Sequence, residues 1–247
     1  MPEILIEACC ASAEDALAAF GGGANRVELN SAMFLGGLTP TVGTLRAIRQ
    51  VTRGPVMAML RPRDGGFCYT EGEMRTMLLD AEALLEAGAD GLVFGCLTAE
   101  GQVDEARTRL LVQAAAGRET VFHRAIDVTP DWRRALDTLI RLGVTRVLTS
   151  GQALRAMDGA ATIAEMVHFA AGAIEILPGA GITLQNARRL VAETGCTQVH
   201  LSHRKTMIDP STRGNPGIHF GGALYPPEDC YQVTDGDYFA ALRAQLP

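Results

Sequence analysis

One phrase returns four times along this chain: GANRVELN from Gly23, GADGLVFG from Gly88, GVTRVLTS from Gly143 and GCTQVHLS from Gly195. Each copy follows a stretch of helical periodicity, such as AEALLEA or ALDTLIRL, and leads into a short apolar, β-branched run. Glycine suits the left-handed residue that closes a helix, so each phrase reads as a helix-to-strand junction. Between the phrases lie four more apolar runs, EILIEA (3–8), PVMAML (55–60), ETVFH (119–123) and AIEILPG (173–179), each ahead of another helical stretch. Eight strands alternating with helices imply parallel pairing through right-handed crossovers. Eight such units in 247 residues match the size of a closed barrel. The expectation is a single (β/α)8 TIM-barrel domain of the α/β class over residues 1–247. A doubly wound open sheet competes, but it has no need of four similar double units, and no G-x-G-x-x-G follows the first strand.

The chain changes character after Ser202. Residues 203–234 are rich in Pro, Gly and turn formers, ahead of a last helix expected over 235–246. A long loop after the eighth strand lies at the C-terminal mouth of a barrel, and this one is expected to cover it. His203 and His219 fall on this polar stretch and read as solvated loop residues.

Charge and composition exclude several partners. The net charge is −6 and the isoelectric point is near 5.4, which gives no basic face for nucleic acid or an anionic membrane. No apolar run reaches membrane-spanning length, and MPEILIEACC lacks the basic region and apolar stretch of a secretory leader. A cytoplasmic location is expected. The six cysteines follow no C-x-x-C or Cys/His zinc spacing and read as small buried hydrophobes in a reducing compartment, with Cys9 set apart below.

Strand parity locates the candidate site. Side chains alternate along a strand, so in GANRVELN the apolar Val27 and Leu29 face the helices while Arg26, Glu28 and Asn30 point inward. The four phrases superimpose into layers: Arg26, Gly91, Arg146 and Gln198; then Glu28, Val93, Leu148 and His200; then Asn30, Gly95, Ser150 and Ser202 at the C-terminal ends. On the odd strands Glu7, Arg61 and His123 occupy the matching positions. A packing core would hold Val, Ile or Leu there. Buried charges must pair, stay wet or bind something. Two readings follow. One is a structural salt-bridge network, which suits the deeper Arg26 and Arg146 best. The other is an acid–base site at the mouth, with Glu7, Glu28, His123 and His200 as proton-transfer candidates.

In TVFHRAID (120–127) the strand ends on ionisable groups. His123 has inward parity, Arg124 is read as pointing outward or lying in the loop, and Asp127 opens the βα loop, as a ligand contact or as turn chemistry. Thr129 is the expected cap of the next helix, with Pro130 first and Asp131 in its first turn. Further substrate contacts are expected from Arg26 and Ser202, from Arg61, which can grip a carboxylate or phosphate through two hydrogen bonds, and from Arg63 and Arg204 in the loops. Gly-rich turns at Ser150–Gly151 and Gly179–Gly181 can offer backbone N–H groups to an anion, or serve as tight turns only.

Several motifs in order, an E-x-C ending at Cys9, GGANRVELN, GGLTPTVG, MLRPRDGGFCYT, DGLVFGCLT, FHRAIDVT, LTSGQA and GAGIT, resemble those of the CutC family, the proteins called copper homeostasis protein CutC. The resemblance covers most of the chain. It implies a (β/α)8 barrel, a cytoplasmic location and self-association as a homodimer or higher homo-oligomer. It also implies a link to copper, with no settled reaction. That link looks to two cysteines at the ends of the first two strands, thiolates that would suit Cu(I). Cys9 occupies the first position and stands as the candidate metal ligand; Asn30 occupies the second. Cys10 has the opposite parity, and Cys96 lies past the fourth strand. Two functions therefore stand: an enzyme acting on a small polar or anionic ligand with no certain cofactor, and a copper-binding protein using Cys9.

Overall fold

The computed structural model describes residues 3–220 and 228–246. Eight parallel strands form the barrel: β1 (Leu5–Cys10), β2 (Arg26–Leu29), β3 (Val56–Met59), β4 (Gly91–Phe94), β5 (Glu119–Phe122), β6 (Arg146–Thr149), β7 (Glu175–Pro178) and β8 (Gln198–Leu201). Each overlaps the run expected for it. The hydrogen-bonded order is β7-β6-β5-β4-β3-β2-β1-β8. The backbone ladder is not continued between β7 and β8; there the Gln198 side chain donates to Glu175 at 3.1 Å. The chain is a nearly closed (β/α)8 barrel.

Among the described residues eight α-helices surround it: α1 (Ala13–Gly21), α2 (Val42–Val51), α3 (Glu71–Glu86), α4 (Glu105–Ala114), α5 (Trp132–Leu142), α6 (Ala160–Ala170), α7 (Ala187–Thr194) and α8 (Gly236–Gln245). Their starts are set by local hydrogen bonding. Ser12 accepts from Asp15 N–H, and Thr70 and Glu73 form a reciprocal capping box ahead of α3. The four phrase glycines all take left-handed φ, +87° at Gly23, +104° at Gly88, +78° at Gly143 and +71° at Gly195. That conformation strains any residue with a Cβ, which is why glycine recurs at each helix-to-strand junction.

Two apolar clusters divide the core. The larger lies between strands and helices; the smaller, Met57, Met59, Val93, Val121, Leu148 and Leu177, fills the barrel interior on the β3–β7 side. At the level of that cluster the polar groups Glu7, Glu28 and His200 therefore gather on β1, β2 and β8.

Two local expectations change. Asp131, not Thr129, caps α5: its carboxylate accepts from Arg133 and Arg134 N–H at 2.9 and 3.2 Å. Thr129 instead ends a short 3-10 turn over Arg124–Val128 and donates to the Ile126 carbonyl. After β8 the chain forms an antiparallel hairpin, β9 (Arg204–Ile208) with β10 (Cys230–Thr234). Its base docks on α1 through Thr234 N–H and the buried Asp15. The part of the expected cover over 221–227 lies outside the described residues. No helix among the described residues is long and apolar enough to cross a membrane.

Candidate functional site

The barrel interior carries polar groups at two depths. At its foot, Arg146 donates to Glu175 at 2.6 Å and to Glu119 at 3.0 Å. Arg26 pairs with Glu7 and donates to Gln198 at 2.9 Å. Strand register makes this unavoidable: Glu7 on β1 stands beside Arg26 on β2 and His200 on β8. Arg26, expected as a substrate contact, therefore belongs to the foot and reaches the mouth only through Glu7.

One layer higher, the His200 imidazole shares a hydrogen bond of 2.7 Å with Glu7 through Nδ1. Its other face meets Cys9 and Glu28; one ligand atom from each of the three lies within 4.8 Å of the others. Cys9 Sγ is 3.7 Å from Glu28 Oε1 and 3.8 Å from the Met33 thioether. Asn30 donates through Nδ2 to Glu28 Oε1 at 2.8 Å and to Cys9 Sγ at 3.3 Å. Glu28 Oε2 is buried without a partner.

Electrostatics set the protonation of these groups. Burial opposes the charge on Glu7, but the His200 hydrogen bond and the Arg26 charge outweigh it and hold the carboxyl at about 2. Burial and the neighbouring Glu7 charge push Glu28 upward against the pull of His200 and Asn30. Burial works against the charged form of His200, yet Glu28 and Glu7 raise it well above the ordinary histidine value. Burial pushes the Cys9 thiol up to about 12. His123 behaves differently: burial and the Arg61 charge lower it to about 3. Its Nδ1 accepts from Ala125 N–H at 3.2 Å, so the neutral ring carries its proton on Nε2, which has no partner. His123 is thus a fixed donor at neutral pH rather than the proton carrier expected. Gly95 makes room for it, since a Cβ there would sit 2.4 Å from His123 Cε1.

These groups line two connecting chambers at the C-terminal end. Glu28, Arg61, Phe67 and His123 face one of about 260 Å³. Ala180 to Thr183, Ser202, His203 and Tyr238 face one of about 380 Å³. Cys9, Arg124, Leu148 and His200 line both.

Not every expected contact reaches these chambers. Arg61 lines one, but its Nη1 donates to the Leu35 and Gly37 carbonyls and its Nη2 to Gly65, at 2.9 to 3.0 Å. Those bonds hold two loops and occupy the end of its fork, while Nε is buried without a partner. Arg63 is tied to Glu73 and to carbonyls of its own loop. Arg204 lies near Asp15 and donates to Gln232 O. Both stand apart from the chamber linings. The Ser150–Gly151 turn is also filled from within. Asp127 accepts from Thr149 Oγ1 at 2.6 Å, Ser150 N–H at 2.9 Å, Ser150 Oγ at 2.8 Å and Gln152 N–H at 3.2 Å. The anion in that nest is the chain's own carboxylate. Gly179 serves packing, because a Cβ would meet Leu148 at 2.6 Å and His200 at 3.4 Å. Gly181 and Ser202 line the larger chamber.

Three residues of the mouth were not legible as such. Arg124, expected outward or in the loop, lies in the 3-10 turn after β5 and lines both chambers. Met33 reaches Cys9 from a 3-10 turn over Met33–Leu35 that has no strong sequence signal. His203 stacks on Tyr238 with ring centres 3.6 Å apart, which places it in the larger chamber wall rather than in solvent alone.

The CutC family model matches residues 4–205. A family protein CutC of Treponema denticola is 53% identical over 246 residues, covering the whole of both chains. A mouse protein named copper homeostasis protein cutC homolog is 39% identical over 240 residues, 97% of this chain and 88% of its own length. Among solved structures, the CutC protein of Streptococcus agalactiae aligns with a TM-score of 0.77 at 34% identity, covering 80% of this chain and 98% of that one. A thiamine phosphate pyrophosphorylase from Pyrococcus furiosus aligns at a TM-score of 0.58 and 13% identity over 98% of this chain and 95% of that one, a likeness of fold alone.

Proposed function

The chain belongs to the CutC family, and from that footing we propose that its barrel mouth is an enzyme site carrying out proton transfer on a small polar or anionic molecule. The observation that carries this reading is Glu28: a buried carboxyl, pushed upward in pKa, with Oε2 unpartnered at the wall of a chamber. A carboxyl so placed exchanges a proton near neutral pH more readily than an exposed one. His200, kept cationic by Glu7 and Glu28, supplies positive charge beside it. His123 offers Nε2–H across the same chamber to an oxygen that gains charge as the proton moves. Glu7 acts through His200, fixing its ring and charge.

The test is solvent deuterium exchange into small hydroxy and keto acids, followed by proton NMR. Native protein is expected to catalyse exchange into at least one of them, and Glu28→Gln to slow it by about a hundredfold or more. Exchange that survives Glu28→Gln at the native rate contradicts the assignment.

One observation favours a second reading, a Cu(I) site: a thiol, a thioether and an imidazole meet at Cys9, Met33 and His200, and mouse and human relatives carry the name copper homeostasis protein cutC homolog. The soft sulfur donors fit Cu(I) even though Asn30 replaces a second thiol. Bound metal would polarise substrate or be held as cargo. Binding must displace the Cys9 thiol proton and free His200 Nε2, so it strengthens as pH rises. Anaerobic Cu(I) titration against a competing chelator separates the readings. The copper reading expects Cys9→Ser to abolish binding; unchanged affinity in that variant removes it.

A further inference from the structure

Arg124 is the guanidinium common to both chambers, and its hydrogen bonding is already half committed. Its Nε donates to Asp127 at 2.9 Å and its Nη2 to Ser150 Oγ at 2.8 Å. Those two donors lie on one edge of the guanidinium plane. Asp127 is itself fixed by Thr149, Ser150 and Gln152, so the plane is held from a rigid anchor. Among the described residues no acceptor sits at Nη1. The end of the fork, Nη1 with the second proton of Nη2, remains on a side chain 42% exposed at the chamber wall.

The end of a guanidinium presents two parallel N–H donors, which match the two oxygens of a carboxylate. A phosphate site of this fold class would add backbone N–H groups from loops and helix starts. Here five such donors are spoken for. Ser150 and Gln152 N–H go to Asp127, and Gly151 N–H goes to Thr149 Oγ1 at 2.9 Å. Thr183 N–H goes to Asn186 and Leu184 N–H to the Tyr238 hydroxyl, both at 2.8 Å.

We propose that Arg124 is the anion-binding residue of the mouth and that the substrate class is a small carboxylate, held end-on by Arg124 between the two chambers. The carboxylate sits at the divide, the adjoining carbon faces Glu28, His200 and His123, and the remainder of the molecule extends toward Thr183, Ser202 and His203. This rests on the proton-transfer reading of the same site and names its ligand.

Calorimetry on the full chain tests it with four probes: pyruvate, succinate, inorganic phosphate and glycerol 3-phosphate. At least one carboxylate is expected to bind more tightly than either phosphate. Arg124→Ala and Arg124→Lys are each expected to weaken it about tenfold or more, the lysine because a point charge lacks the fork. Arg124→Lys keeps a cation beside Asp127, so it decides the matter if the alanine variant fails to fold by circular dichroism. Tighter phosphate binding, full carboxylate affinity in Arg124→Lys, or no carboxylate binding at millimolar concentration overturns the proposal. Glu28→Gln keeps the two ideas separable. Arg124-dependent binding with exchange unaffected by Glu28→Gln sinks the proton-transfer role alone. Glu28-dependent exchange with binding indifferent to Arg124 sinks the carboxylate subsite alone.

Discussion

The foot and the mouth of this barrel hold similar residues and treat them differently. At the foot, Glu7, Glu119, Glu175, Arg26, Arg146 and Gln198 bind one another, and Arg146 Nη1 is the buried donor left over. At the mouth, Glu28 Oε2, Asn30 Oδ1, Arg61 Nε and His123 Nε2 are all buried without partners. An unpartnered buried polar atom costs about 1–3 kcal/mol. A chain that pairs charges so fully one layer below, yet leaves three such atoms, on Glu28, Arg61 and His123, around a chamber, has a polar layer built to meet a ligand. Charge in a barrel interior is therefore no sign of a site by itself; unmet hydrogen-bonding capacity facing a cavity is.

The contrast predicts unequal responses to mutation. Arg26→Met should cost about 3–5 kcal/mol in urea unfolding, because Glu7 would keep a buried charge with one partner fewer. Glu28→Gln should change stability by about 1 kcal/mol or less, since the oxygen it alters makes no bond. Similar losses from the two variants would erase the distinction between the layers.

Acid unfolding sharpens it further, with a smaller effect. His123 stays neutral in the folded chain down to about 3 and takes up a proton on unfolding at any pH below its ordinary 6.5. Its burial therefore lowers stability progressively as pH falls from 6.5 to about 3. Glu7 adds to the same trend lower down: its contribution is complete above 4.5 and is lost as pH falls through about 2. His123→Asn should remove about one proton from the pH dependence of unfolding between pH 6.5 and 3. An unaltered slope in that window would mean His123 is solvated, and with it the mouth.

Much of this was written in the sequence where spacing is strict. Four glycines at left-handed helix ends counted the strands, and alternation placed Arg26, Glu28, Asn30, Arg146, Gln198 and His200 inside. Alternation holds only while the chain is extended. Past the strand ends a 3-10 turn sends Arg124 back over the mouth, and another brings Met33 to Cys9, positions that no period encodes. Nor could parity say which donors were already used. Arg61 and the Ser150–Gly151 turn have the chemistry of anion binders, yet tertiary contacts give three N–H groups of the first to carbonyls and fill the second with Asp127. Asp131 displaced Thr129 as the α5 cap because a carboxylate two residues closer satisfies two N–H groups at once.

The most direct test is the protonation of Glu28 itself, followed by carbon NMR of glutamate-labelled protein and assigned with Glu28→Gln. The account predicts that Glu28 titrates above its ordinary 4.5 while Glu7 titrates near 2. A Glu28 carboxyl titrating at or below 4.5 would contradict it.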